Sequence, residues 1–102
     1  MIQILKSWLD ADNISIEERE PGVSEVVMTT SGLRPNSAKL KARWFQLVGL
    51  PMKIMNVERI ETVHRGIVFD RYKITGLVHT RRAKLERNVR ERVGLFDRIR
   101  GR

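Results

Sequence analysis

Apolar residues recur along this chain with two periods, and the points where the period changes mark out its elements. Ile2, Leu5, Trp8 and Leu9 keep helical spacing, so a short helix is expected over residues 2–10, ended by Asp10, Asp12 and Asn13. Ile14 and Ile16 then alternate with polar neighbours, and Val26, Val27 and Thr29 suit a second pleated segment. Pro21-Gly22 supplies a turn between them, so residues 14–30 predict a hairpin whose acidic tip, Glu17-Glu18-Arg19-Glu20, also suits a loop.

The helical period returns in AKLKARWFQLV, where Leu40, Trp44, Leu47 and Val48 share one face and Lys39 and Arg43 lie on another. Asn36 or Ser37 is placed to cap this helix, and Gly49 and Pro51 to end it. Trp44 lies inside the apolar stripe and is read as a core anchor rather than a platform for stacked bases.

Residues 53–63 and 67–74 predict two strands joined by His64-Arg65-Gly66. Met55 and Val57 share a parity that Ile60 lacks, which either a bulge near Glu58-Arg59 or a different strand assignment would reconcile, and Thr75-Gly76 is expected to break the second strand. The last stretch, Thr80 to Arg102, carries Leu85, Val89, Val93, Phe96 and Ile99 on one helical face. Arg87, Arg90 and Arg98 fall on the opposite side. Arg92 falls inside the apolar arc, where its stem is expected to pack or its head to pair with an acid. Gly94 disfavours helix by roughly 1 kcal/mol, which leaves open one helix or a helix plus a tail.

The order of elements predicts an α+β fold. It combines a small antiparallel sheet of two hairpins with a helix between them, a short N-terminal helix and a basic C-terminal helix. One domain over residues 1–102 fits this length, with 80–102 as its arginine-rich amphipathic end. The apolar runs are short and the N-terminus has no secretory pattern, so a cytoplasmic protein without a membrane partner is expected.

Charge changes the picture most. Residues 1–50 hold six basic and six acidic side chains, whereas residues 51–102 hold fourteen basic and six acidic. Within Thr80–Arg102 nine cations face three acids, a net +6 of the formal +8 of the chain. Arginine outnumbers lysine fourteen to six, and arginine is the cation that forks onto phosphate oxygens. A polyanionic partner follows, nucleic acid before membrane, because Phe96 is the only aromatic on this segment. The expected contacts are Arg81, Arg82, Lys84, Arg87, Arg90, Arg98, Arg100 and Arg102, extended by Arg65, Arg71 and Lys73 of the second hairpin. Leu85, Val89, Val93 and Phe96 are the expected surface for a protein partner or second copy, as in a structural subunit of a ribosome-like or phage-like assembly.

Catalytic chemistry has little support. The chain has no cysteine, no glycine-rich phosphate loop and no histidine pair at ligand spacing, so no metal, cofactor or enzymatic activity is expected. A metal-independent ribonuclease would draw on His64, Arg65, Tyr72, His79 and Arg81, which have suitable side chains for general-base and phosphorane-stabilising roles. Leu40, Arg43-Trp44, Gly49 and Pro51, followed by Gly66 and Ile67-Val68-Phe69, make this stretch similar to the core of SymE-like bacterial toxins. That resemblance implies an AbrB-related fold and association with RNA or DNA. The chain differs from that pattern in its longer first strand and its basic C-terminal helix.

Overall fold

In the computed structural model, the backbone is described through Arg100 and the side chains through Leu95. The chain runs α1 (Ile2–Leu9), β1 (Asn13–Glu20), β2 (Val23–Ser31), α2 (Ser37–Val48), β3 (Lys53–His64), β4 (Ile67–Val78) and α3 (Arg82–Arg100). The strands form one antiparallel sheet in the order β1-β2-β4-β3. The two expected hairpins are present and are joined where β2 pairs with β4, from Ser24 opposite Val78 to Ser31 opposite Arg71.

One face of the sheet carries the core. Ile14 and Ile16 of β1, Val26 and Met28 of β2, and Ile74 and Val78 of β4 are buried there. Against them pack Leu5 and Leu9 of α1, Leu40, Trp44, Leu47 and Val48 of α2, and Leu85 and Val89 of α3. All three helices therefore lie on the same side. The other face, with Val27, Thr29, Lys73, Thr75 and Leu77, has no helix over it among the described residues.

The helix ends follow local chemistry. Asn36 accepts the Lys39 amide at 3.1 Å and caps α2, while Gly49 ends it at φ 76, a left-handed conformation that glycine adopts without strain. Asp10 ends α1 in the same region, at φ 53. Arg43 of α2 donates to the Trp8 carbonyl at 3.1 Å, and the Trp8 indole donates back to the Arg43 carbonyl at 2.8 Å, so the two helices clamp each other. Asn36→Ala is expected to lower unfolding free energy by about 1 kcal/mol in urea titrations, since one amide at the start of α2 loses its acceptor.

Two local expectations are corrected. The register irregularity in β3 lies between Ile54 and Asn56, not near Glu58-Arg59, and it restores Val57 and Ile54 to the core-facing side. Thr75-Gly76 does not interrupt β4, which runs on to Val78. Gly76 sits in mid-strand because the Met52 side chain lies over it; a Cβ there would come within 2.6 Å of the Met52 sulfur. At Gly94, α3 continues as one helix.

The β3–β4 hairpin runs well past the end of β2. Its two-residue turn has Arg65 and Gly66 at φ 52 and 78, the left-handed pair that matches strand twist. Val63, Ile67 and Val68 near the tip are 67%, 59% and 58% exposed.

Candidate nucleic-acid interface

The start of α3 is fixed by groups from the first hairpin. Ser24 donates to the Thr80 carbonyl at 2.8 Å in a buried position, holding the chain just before the helix. Glu18 accepts the Arg82 amide at 2.9 Å, placing a carboxylate at the positive end of the helix dipole. Arg82 itself turns inward: its guanidinium donates to the Ile16 carbonyl at 2.9 Å and to Glu86 at 3.2 Å. Although expected as a phosphate contact, Arg82 is used to anchor α3.

Further along, Leu85 and Val89 enter the core, and the neighbouring side grips the end of α2. Asn88 donates to the Val48 carbonyl at 3.0 Å and Arg92 to the Gln46 carbonyl at 3.4 Å, meeting two carbonyls that α2 leaves without helical partners. The Arg92 guanidinium also lies over Gly49, where a Cβ would come within 2.9 Å of it. Arg92 thus resolves its odd position in the apolar arc by binding a helix terminus instead of an acid.

What remains on the outer side is a run of cations. Lys84, Arg87 and Arg90 recur every three residues, a rise of about 4.5 Å per step, and all are exposed. With Arg81 just before the helix, they make no hydrogen bond or ion pair among the described residues. Elsewhere four arginines are paired: Arg19 meets Glu17 and Glu25, Arg43 meets Asp10, Arg59 meets Glu61 and Asp70, and Arg71 meets Asp12, while Lys6, Arg34, Lys39, Lys41, Lys53, Arg65 and Lys73 have no ion pair among the described residues. The hydrogen bond that Arg19 donates to Glu25, and the negative charge of Glu25, hold Arg19 above the ordinary arginine value. The acids of the fold are spent on these pairs, and among the described residues only Glu20, Glu58 and Glu91 lack a partner.

The hairpin cations do not extend this run. Arg71 and Lys73 project from the sheet face opposite the helices, and Arg71 also donates to the Thr29 hydroxyl at 3.2 Å. Arg65 lies at the far tip of the β3–β4 hairpin. The backbone of Arg98 and Arg100 belongs to α3, while their side chains, and all of Arg102, lie outside the described residues. Part of the surface expected to meet a protein partner is turned inward. Leu85 and Val89 are buried and Val93 is half-buried, while the Phe96 side chain lies outside the described residues.

The ribonuclease set is dispersed. His64 and Arg65 stand at one end of β4 and His79 and Arg81 at the other, roughly 35 Å of strand apart. Tyr72 is buried on the core face between them. Among the described residues no group of three or more His, Asp or Glu side chains could hold a metal ion, and no helix is long and apolar enough to cross a membrane. Beside α3 lies an open groove of about 530 Å³ lined by Ile2, Ile4, Glu86, Arg90 and Val93.

No family model, curated protein or solved structure matches the chain, so the likeness of its middle stretch to SymE-like toxins stays a local one.

Proposed function

We propose that this protein binds nucleic acid without catalysis, chiefly by phosphate contacts from the exposed ridge Arg81, Lys84, Arg87 and Arg90 of α3. One observation carries the reading: these cations stand exposed at regular spacing along one helix and have no acidic partner among the described residues, in a fold that spends most of its described acids on pairs elsewhere. A helix that buries one side and holds uncompensated cations at regular spacing on the other suits a backbone of repeating negative charge. Among the described residues no element with a groove-reading motif accompanies the ridge, so the contact is one of charge more than of base sequence. Such a partner implies a cytoplasmic working site.

Affinity for duplex DNA, single-stranded DNA and RNA, measured by fluorescence anisotropy across a salt series, tests this. Binding is expected to weaken steeply with salt, by about tenfold or more between roughly 50 and 200 mM. Absent binding, or binding indifferent to salt, would sink the reading.

The exposed apolar side chains of the β3–β4 hairpin favour a second reading, a structural subunit of a larger nucleoprotein assembly.

A further inference from the structure

The two edges of the sheet differ in a way that selects a partner. β1 is the edge on one side, and its outer half carries Glu17, Glu18 and Glu20, so two copies brought together there would repel. β3 is the other edge. Beyond its irregularity at Ile54/Asn56, the segment Asn56–His64 runs regularly against β4 and contains no proline, no lysine and no further shift of register. Proline, lysine and bulges are among the usual means by which an edge strand is protected, and this segment has none of them; its charges, Glu58, Arg59 and Glu61, are of both signs and can meet complements across a pairing.

The outward-facing backbone of this segment follows from the turn. The two-residue loop makes His64 and Ile67 a hydrogen-bonded pair, and pairs of that kind alternate along an antiparallel ladder. Thr62, Ile60 and Glu58 therefore turn their amides and carbonyls toward β4. Val57, Arg59, Glu61 and Val63 turn theirs to the open edge.

We propose that β3 pairs antiparallel with β3 of a second copy of this chain, about a twofold axis at Ile60, joining two sheets into one. Ile60 is the midpoint of Asn56–His64, so this register overlaps the whole regular segment. It sets Arg59 opposite Glu61 of the second copy, and Glu61 opposite Arg59, with Val57 facing Val63 on the same side of the sheet. Ile60 meets its own counterpart on the other side. Moving the axis one residue either way would put Arg59 against Arg59 or Glu61 against Glu61, so charge selects the same register as overlap does. The pairing also covers Val63, one of the most exposed apolar side chains of the fold. It is independent of nucleic-acid binding, since α3 lies at the opposite side of the strand order.

Sedimentation velocity on the full chain, freed of nucleic acid by nuclease and spanning roughly 1 to 200 µM, tests the pairing. A particle of twice the 11.9 kDa chain mass is expected to grow in with concentration. Arg59→Glu and Glu61→Arg should each weaken the dimer about tenfold by placing like charges opposite each other twice over, and the double exchange should restore it. Circular dichroism checks that each variant is folded. A wild-type chain that stays monomeric throughout overturns the proposal. So does a dimer that ignores the single exchanges, or one that the double exchange fails to recover.

Discussion

Replacing Lys84, Arg87 and Arg90 together by alanine is expected to weaken binding to duplex DNA about 100-fold at roughly 0.15 M salt. Each phosphate contact releases condensed counterion, which is worth about a factor of five at that salt, and three contacts compound. The fold should tolerate the change. The three side chains are exposed and hold nothing among the described residues, while α3 stays anchored by Leu85, Val89, Asn88 and the Glu18 cap. Arg19→Ala is the matched control, because it removes one cation already neutralised by Glu17 and Glu25 on the first hairpin. It is expected to change affinity by less than about twofold. An Arg19→Ala loss of about fivefold, the same per charge removed as in the triple variant, would mean that net charge, and not the ridge, governs binding.

Trp44→Ala is expected to cost about 3–5 kcal/mol of unfolding free energy, the range for truncating a large aromatic in a packed core. Trp44 is 0% exposed and is the largest side chain wholly inside the fold, where α2 meets the sheet. For a domain this small the loss is expected to lower the melting temperature by about 15–30 °C. Trp44→Phe should be far milder, at about 1 kcal/mol, although it too removes volume. The indole N–H of Trp44 is buried and finds no acceptor among the described residues, so the wild-type chain already carries its desolvation cost. Phenylalanine removes that cost together with the ring volume, and the two changes offset each other. Urea denaturation of both variants checks the ranking, and a Phe variant as damaged as the Ala variant would contradict it.

Most elements were legible from local chemistry. The α2 helix had a cap at Asn36, a stripe through Trp44 and a stop at Gly49, three signals within its own sequence that agreed. The hairpins were equally marked by Pro21-Gly22 and Arg65-Gly66. Where the reading went astray, the deciding partner was distant in sequence. Gly76 looks like a strand breaker until Met52 is seen lying across it, and the irregularity at Ile54 responds to packing that local alternation does not reveal. The same holds for the candidate site. An arginine count does not separate Arg82, which is bound to Ile16 and Glu86, from Arg87, which is bound to nothing among the described residues. Arg92 could be recognised as out of place in the apolar arc, yet its role at the end of α2 depended on how two helices pack. Charge identified the segment, and three-dimensional pairing identified which of its described cations are free.

The central claim is that the free ridge of α3 makes the phosphate contacts, and the salt slope tests it most directly. Plotting log affinity for duplex DNA against log salt for the wild-type chain and the Lys84/Arg87/Arg90 alanine variant isolates the number of phosphates neutralised by those side chains. The slope of the variant is predicted to be shallower by about 2.7, close to 0.9 for each contact removed. Parallel lines with the same slope would contradict the account.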